Sequence, residues 1–381
     1  MRKKMLYILN VANRVNNFSH TSILAARACH IDYHIAGNWG YASHEARKRD
    51  EEAYGIHIHQ IDFERNPLHP RNLTAYQQLL SLVRRERFDC IHCNTPVGGA
   101  AGRLAGKRCG TETVIYQAHG FHFYRGAPLV NRLVYYPVER WLARYTDVLI
   151  TINREDYEAA AGLRLRGRVH FVHGVGLETG EFLPSGADGG AKRLELGLAC
   201  DDVALISMGD LVQRKNYRTA IQAISETRSP KIHYFICGQG PEKDRLTRLS
   251  KKLGVENRIH FLGFRSDIRE LLAAADIFLF TTLQEGLPRA MMEAMASGLP
   301  CIASRIRGNT DLIADGKGGY LCDPRDAAAF AAAIEKLARN AGLRKSMGER
   351  NLLSIKGYDA AIVKQELKEI YEETLGLADG G

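Results

Sequence analysis

The stretch DIFLFTTLQEGLPRAMMEAMASGLP, residues 276–300, places a short apolar run, a loop and a helical pattern in succession. The run DIFLFTT is rich in β-formers and predicts a buried strand. Pro288 suits the first residue of a helix, and Gly298 predicts a left-handed cap at its end. Glu285 is therefore expected on the loop that leaves the strand, and Glu293 inside the helix.

The same succession recurs along the whole chain. Helical patterns such as RNLTAYQQLLSLVRRER separate seven strand-like runs in the first half, and six further strand-like runs follow in the second half. Such alternation predicts parallel sheets with helices on both faces. We therefore predict an α/β protein with two doubly wound, Rossmann-like domains facing a central cleft. Ligands of such sheets bind beyond the carboxyl ends of the strands.

The length of 381 residues suits two domains. One stretch, GVGLETGEFLPSGADGGAK at residues 174–192, loses periodicity and is rich in Gly, which indicates a linker. We predict a first domain over residues 1–178 and a second over residues 179–358. The remaining residues, 359–381, carry an amphipathic helical pattern.

The net charge of +9 lies entirely in the first half. Residues 1–175 contain 24 Lys and Arg against 15 Asp and Glu, whereas residues 176–381 contain 28 of each class. This asymmetry indicates an anionic partner for the first half: nucleic acid, an acidic substrate or a phospholipid surface. A merely solvated basic surface is the alternative.

Location follows from the amino terminus, the apolar runs and the cysteines. The start MRKKMLYILNVA has basic residues before an apolar stretch, but that stretch is short and no cleavage site follows, so we expect a β-strand. No apolar run is long enough to span a bilayer.

Cys90 and Cys93 form a single C-x-x-C inside a strand-like run, which disfavours a zinc site. His57 and His59 share one face of a predicted strand, without an evident third ligand. We expect a metal-free, cytoplasmic protein.

The loop and helix after DIFLFTT are suited to a sugar nucleotide. Free backbone N–H groups at Gly286 and Leu287 favour an anion such as a diphosphate at the helix start. Glu285 and Glu293 can accept hydrogen bonds from sugar hydroxyls on either side of it. Spacing alone equally allows two glutamates without a ligand.

A second strand end supports this interpretation. After the run VALISMGD come Arg214 and Lys215, followed by another helix, so two cations are placed to neutralise a diphosphate and the charge of a leaving group. A third strand end, ICGQGPEKD, has the glycines for close backbone approach but lacks the complete dinucleotide fingerprint.

These motifs resemble the retaining, sugar-nucleotide-dependent glycosyltransferases of family 4, which have the GT-B fold. In the second half the matching stretches are MGDLVQRKN, ICGQGPEKDRL, IHFLGFRSDI, AAADIFLFTTLQEGLPRAMMEAMASGLP and GGYLCDP. In the first half IHCNTPVGGAAGRLAG, YQAHGFHFYRGAP and YYPVERWLARYTDVLITIN resemble enzymes of bacterial capsule and exopolysaccharide synthesis. The resemblance covers nearly the whole chain.

The resemblance implies roles for individual residues of the second half. Glu285 is similar to the glutamate that touches the donor sugar, and Glu293 to the one that binds the ribose. Lys215 matches the lysine that holds the diphosphate, with Arg214 beside it. Arg265 lies where the loop that binds the base runs.

Other implied roles fall on the first domain or depart from the family pattern. His119 matches a histidine that reaches the donor sugar and, with Lys215 and Glu285, completes the predicted catalytic set. Apart from the resemblance, we predict Arg125, beside Tyr124 and Gly126, as a contact to the acceptor phosphate, and Asn94 as a second acceptor contact. Gly209 matches a donor-binding glycine, but Asp210 follows it where many members have an arginine.

The resemblance also implies the reaction and its setting. The first domain would bind the acceptor, the second the sugar nucleotide, and the helix of residues 359–381 would pack back on the first domain. The expected reaction transfers a hexose or N-acetylhexosamine from a donor of the UDP type to a lipid-linked (polyprenyl diphosphate) saccharide, with retention. No D-x-D motif occurs, which fits a reaction without a metal or other cofactor. We expect peripheral contact with the inner face of a bacterial membrane.

The stretch PLVNRLVYYPVERWLARY, residues 128–145, is the candidate for that contact. It interleaves apolar and aromatic residues with Arg132, Arg140 and Arg144, as an interfacial helix does. Pro137 is expected to bend or split the helix. A pair of core helices is the alternative.

Two other functions remain open from the sequence. A sugar-nucleotide epimerase of the same fold would need acid–base groups positioned to move a proton on the bound sugar. A nucleic-acid-binding protein would use the basic first half, but a recognisable platform or helix-turn-helix is missing. A nicotinamide enzyme would need the absent glycine fingerprint.

Overall fold

The computed structural model describes residues 2–15, 17–184 and 188–377. The chain forms two compact units, one made of the residues up to Gly176 together with those from Ala360 onward, and one made of Leu177–Asp359. Residues 185–187 of the predicted linker lie outside the described part of the chain.

The first unit contains a seven-stranded, fully parallel sheet in the order β3-β2-β1-β4-β5-β6-β7. The order reverses between β1 and β4, which makes that point the crevice of a doubly wound sheet. The strands are β1 (Lys4–Val11), β2 (Asp32–Asn38), β3 (His57–Gln60), β4 (Cys90–Asn94), β5 (Thr113–Ala118), β6 (Val148–Thr151) and β7 (Arg168–Phe171).

Helices connect these strands and cover both faces of the sheet. They are α1 (Asn17–Ala28), α2 (His44–Tyr54), α3 (Arg71–Glu86), α4 (Pro96–Cys109), α5 (Leu129–Leu142) and α6 (Arg154–Ala160). On one face, Leu79 of α3 and Ala105 of α4 join a core with Ile91 of β4. The predicted first strand is β1, which lies in the middle of the sheet and is almost completely buried.

The second unit contains a six-stranded parallel sheet in the order β10-β9-β8-β11-β12-β13, with its reversal between β8 and β11. The strands are β8 (Val203–Met208), β9 (Ile232–Cys237), β10 (Ile259–Gly263), β11 (Ile277–Phe280), β12 (Cys301–Ser304) and β13 (Gly319–Cys322). The helices are α7 (Gly189–Glu195), α8 (Tyr217–Glu226), α9 (Lys243–Lys252), α10 (Ile268–Ala274), α11 (Arg289–Ala296), α12 (Asn309–Leu312), α13 (Ala327–Ala338) and α14 (Ala341–Ile355).

The last helix, α15 (Ala360–Leu375), belongs to the first unit and packs on α1. Val363, Leu367 and Tyr371 are buried against the first sheet's second face. The Tyr371 hydroxyl lies 2.7 Å from the Ser22 hydroxyl and 2.8 Å from Nδ1 of His92. Apolar contact and buried hydrogen bonds therefore hold this helix to the first sheet.

The predicted α/β architecture of two doubly wound parallel sheets is confirmed. Buried parallel strands read as continuous apolar runs, and β8 and β11 are buried along their whole length. No helix in the described part of the chain has the length and apolarity needed to cross a membrane.

Candidate functional site

The loop after β11 places Glu285 beside the cations that follow β8. The Lys215 Nζ lies 2.7 Å from Glu285 Oε1, and the Arg214 guanidinium lies 3.4 Å from the same oxygen. The Thr282 hydroxyl donates a third hydrogen bond to Oε1, at 3.0 Å. The side chains of Lys215 and Glu285 are each only 12% exposed. The structure thus brings three predicted site residues together at the switch point of the second sheet.

The backbone around Lys215 explains its position. The lysine ends a short 3₁₀ turn, and Asn216 follows it in a left-handed conformation. The Asn216 amide donates to the carbonyls of Thr281 and Pro324, at 2.9 and 2.7 Å, which ties the turn to the loops after β11 and β13. Gly209 has φ +143°, and a Cβ there would come within 3.2 Å of Lys215 Cε. The lysine therefore has a fixed direction.

Glu293 occupies a different environment inside α11. Its side chain is 16% exposed, and Oε1 accepts a hydrogen bond of 2.8 Å from Arg289 Nε. Burial raises the pKa of Glu293, and Arg289 opposes part of that rise. Helix α11 begins at Arg289, so Pro288 precedes the helix rather than forming its first residue, whereas Gly298 ends it at φ +75°, as predicted.

The loop after β12, which was not predicted as part of the site, holds the backbone of Glu285 in place. Arg307, only 5% exposed, donates from Nε to the backbone carbonyl of Glu285 at 3.0 Å. Gly308 has φ +80°, and a Cβ there would lie 2.4 Å from the carbonyl oxygen of Gly286. Both residues follow the strand run CIAS, so the rule that ligands lie beyond strand ends marks their position, although it does not show that Arg307 is buried.

Arg265 lies in a separate charge network. Its guanidinium donates to Asp267 Oδ1 at 2.7 Å and to Glu195 at 2.8 Å, and Lys192 pairs with the second oxygen of Asp267. Hydrogen bonding from Arg265 holds the pKa of Asp267 well below its ordinary value. The described residues include no contact between Arg265 and Glu285, and its predicted role at the base stays a prediction.

His119 and Asn94 meet at the carboxyl edge of the first sheet. Nε2 of His119 lies 3.0 Å from Oδ1 of Asn94, so a proton on Nε2 makes the imidazole the donor. Burial lowers the pKa of His119 to about 4, and the ring is therefore neutral at pH 7. Asn94 is fully buried, so in this conformation it orients the histidine.

A cavity of about 140 Å³ adjoins His119. Tyr116, Phe121 and Tyr135 contribute aromatic walls, and Glu139 lines the same space. The buried Arg103 donates two hydrogen bonds to Glu139, at 2.8 and 3.1 Å, so that carboxylate is neutralised where it faces the cavity.

The predicted acceptor contact Arg125 lies at the surface. Its side chain is 80% exposed and pairs with Glu158 at 3.1 Å, while its backbone N–H donates to Glu155 at 2.6 Å. Exposed pairs of this kind contribute little to stability, so the guanidinium can exchange Glu158 for another anion at small cost.

Two doubly wound parallel sheets, with a carboxylate and lysine pair at the switch point of the second, are the arrangement expected of a glycosyltransferase of GT-B fold. Residues 13–174 match the model of the glycosyl transferase 4-like domain, and residues 191–352 match that of glycosyl transferases group 1. The chain belongs to this family.

Relatives agree with that assignment, and a solved structure shows the same fold. EpsD of Bacillus subtilis (strain 168) is 39% identical over 318 residues, covering 82% of this chain and 83% of the relative. The UDP-Gal:α-D-GlcNAc-diphosphoundecaprenol α-1,3-galactosyltransferase of Escherichia coli is 28% identical over 79% of each chain. The structure of Anabaena HepE with UDP and glucose superposes with a TM-score of 0.79 at 19% identity, covering 98% of this chain and all of that one.

Proposed function

We propose that this chain transfers a hexose or N-acetylhexosamine from a UDP-sugar to a lipid-linked saccharide in capsule or exopolysaccharide assembly. The observation that carries the proposal is the Lys215–Glu285 pair at the carboxyl ends of β8 and β11. A diphosphate bound there would form an ion pair with Lys215 in place of Glu285. The carboxylate of Glu285 would then accept hydrogen bonds from sugar hydroxyls.

The proposed mechanism is front-face transfer: the acceptor attacks the sugar from the same face that the diphosphate leaves, so the anomeric configuration is retained. Lys215 and Arg214, with the N–H groups at the start of α11, would stabilise the charge that develops on the departing diphosphate. This arrangement needs no bound metal, and we propose a metal-independent reaction. Nε2–H of His119 is already donated to Asn94, so the predicted role of this histidine at the donor sugar stays a prediction.

Names of relatives support the choice of donor and acceptor. The Escherichia coli relative is named for a UDP-Gal donor, a diphosphoundecaprenol acceptor and an α-1,3 linkage, and the Anabaena structure is of a complex with UDP. Two other relatives are named as glycosyltransferases of lipopolysaccharide core biosynthesis. A polyprenyl diphosphate acceptor lies at a membrane surface, which requires the protein to reach that surface.

Helix α5 supports peripheral membrane contact. Leu142 is its only buried residue in the described part of the chain, so the alternative of a core helix pair is wrong. Six apolar side chains of the helix are between 45% and 71% exposed: Leu129, Val130, Leu133, Val134, Val138 and Trp141. Arg132 and Arg144 are exposed beside them. An apolar face bordered by arginines suits the cytoplasmic face of an anionic bilayer.

Donor binding and transfer can be tested together. With EDTA present, we expect UDP to stabilise the protein by about 2.7 kcal/mol at 100 times its Kd. Glu293→Ala should weaken binding by about 10–100-fold, the worth of hydrogen bonds to a charged group. Glu349→Ala, at an exposed glutamate of α14, is the matched control.

Turnover is then measured with UDP-Gal, UDP-Glc and UDP-GlcNAc and a GlcNAc-diphosphoundecaprenol acceptor. We expect one donor to release UDP only when the acceptor is present, and NMR of the product to give an α linkage. Epimerised UDP-sugar without acceptor, or salt-sensitive binding of oligonucleotides without UDP binding, would contradict the proposal.

Membrane contact is tested separately by sedimentation with phosphatidylglycerol and phosphatidylcholine vesicles. Leu133→Ser should lower binding to the anionic vesicles about 10-fold or more, because an inserted leucine contributes about 1.5–3 kcal/mol. Leu194→Ser, at a leucine of α7 that is 79% exposed, should leave binding unchanged. Equal loss in both variants would argue against an inserted α5.

A further inference from the structure

Four polar side chains cluster on one face of β2 and β3, towards the amino-terminal ends of these strands and away from Asn94 and His119. Asp32 and His34 are two residues apart in β2, and His57 and His59 are two residues apart in β3. The strands are parallel, and His34 is in register with His57. Because side chains two apart share a face, the register brings all four together.

Three of these side chains have the geometry of a metal-ligand set. Nε2 of His34 lies 3.5 Å from Asp32 Oδ2, and Nε2 of His57 lies 3.5 Å from Asp32 Oδ1. One ligand atom from each residue lies within 4.8 Å of the other two. A tetrahedral zinc ion, with bonds of about 2.0–2.1 Å, separates its ligand atoms by about 3.4 Å. The two histidine–aspartate separations of 3.5 Å, each to a different oxygen of Asp32, are close to that spacing, and the whole set lies within 4.8 Å.

The surroundings of His34 indicate that a ligand is expected there. His34 is only 4% exposed, and among the residues that the structure describes its Nε2 forms no hydrogen bond, apart from the 3.5 Å approach to Asp32 Oδ2. A buried polar atom without a partner is costly. Within the described ranges, no lysine or arginine pairs with the carboxylate of Asp32 either.

The second nitrogen of His34 is also held as in a metal site. Its Nδ1 lies 2.8 Å from Nε2 of His59, so a proton on Nδ1 directs the lone pair of Nε2 towards Asp32. Metal-binding histidines almost always donate their other ring N–H to a carboxylate, a backbone carbonyl or water, which fixes the ring and its tautomer; here the ring nitrogen of His59 would take the place of that acceptor. The Phe88 ring, with its centroid 5.0 Å from that of His34, packs against the imidazole at an angle.

We propose that Asp32, His34 and His57 bind one divalent transition-metal ion of the zinc type, with water at the fourth position. The ion would clip the short edge strand β3 to β2. The site is remote in sequence and strand position from the residues assigned to sugar transfer, and the proposal is independent of that function.

The experiment uses the untagged full-length chain, freed of metal by chelation. Titration with ZnCl2 against a chromophoric chelator measures stoichiometry and Kd, and Co²⁺ in place of zinc reports the coordination geometry by its visible spectrum. We expect one ion per chain, a tetrahedral Co²⁺ spectrum and a rise in Tm with zinc. His57→Gln should weaken binding more than 100-fold, and His59→Gln about 10–100-fold.

The exposure of His57 and a control histidine outside the cluster allow loss of metal binding to be distinguished from loss of folding. The side chain of His57 is 60% exposed, so its loss should leave the metal-free Tm unchanged. His44→Gln, at an exposed histidine outside the cluster, should bind zinc like the natural chain. Absence of stoichiometric binding, or equal affinity in His57→Gln and the natural chain, would overturn the proposal.

Discussion

Replacing Lys215 with alanine tests whether this lysine stabilises the departing diphosphate or only forms an ion pair that stabilises the fold. The substitution removes the 2.7 Å contact to Glu285, whose side chain is 12% exposed in the natural chain, and leaves Thr282 and the more distant Arg214 as its partners. Breaking a fully buried pair costs about 3–5 kcal/mol. Because Arg214 and some solvent remain, we expect a loss of about 1–3 kcal/mol in the free energy of unfolding.

The expected effect on turnover is larger than the effect on folding. Removing one preorganised group that stabilises developing negative charge lowers kcat by about 10²–10³-fold. Initial rates of UDP release give kcat and KM, and urea denaturation gives the free energy of unfolding. Lys317→Ala, at an exposed lysine, is the matched control and should change neither quantity.

A second variant distinguishes the two roles of the lysine. In Lys215→Ala combined with Glu285→Gln, the uncompensated carboxylate is gone, so stability should recover relative to Lys215→Ala alone. Turnover should not recover, because the cation for the diphosphate is still missing and the carboxylate proposed to bind the sugar is lost as well. Turnover of Lys215→Ala within about threefold of the natural chain would refute the reasoning.

Two further predictions concern the loop behind Glu285 and the buried histidine. Gly308→Ala should lower the free energy of unfolding, measured by urea denaturation, by about 2–5 kcal/mol, because its Cβ would lie 2.4 Å from the Gly286 carbonyl oxygen. The control Gly316→Ala, at φ +74° with no atom near its Cβ, should lower it by about 1–2 kcal/mol. Equal losses in the two variants would contradict the close approach at Gly308. Burial lowers the pKa of His119 from 6.5 to about 4, so its contribution to stability is complete above pH 6.5 and is lost as the pH falls through 4. Between pH 7 and 4.5 the natural chain should therefore lose about 2–3 kcal/mol more stability than His119→Gln, and His44→Gln should behave like the natural chain.

The strands could be predicted because burial on both faces leaves a direct mark on the sequence. The run DYHIAGN coincides with β2, and the central runs of both halves are buried throughout. Element ends were less certain, since Pro288 suits either of two adjacent positions. Pro137 was expected to bend or split its helix, but α5 is not split at that residue. The carbonyl that loses its partner is that of Leu133, whose side chain is 66% exposed, so water can satisfy it.

The site could be predicted in part, because parallel strands end at one edge and carry their ligands there. That rule located Lys215 and Glu285, although 70 residues separate them and only the adjacency of β8 and β11 brings them together. Arg307 follows a strand as well, yet a buried arginine and a solvated one read alike in a sequence. Its value as a brace for Glu285 comes from burial, which depends on the packing of β12 beside β11.

The histidines of β3 show most clearly how much of a site the sequence can predict. Alternation within one strand places His57 and His59 on one face, and this much follows from the period of two. A third ligand depends on which strand lies alongside and in which register. Asp32 and His34 meet them because β2 pairs with β3 with His34 opposite His57, and a shift by one residue would turn both side chains to the other face. Periodicity thus predicts the face of a strand, whereas a site built across two strands requires their pairing, which is decided by the packing of the whole sheet.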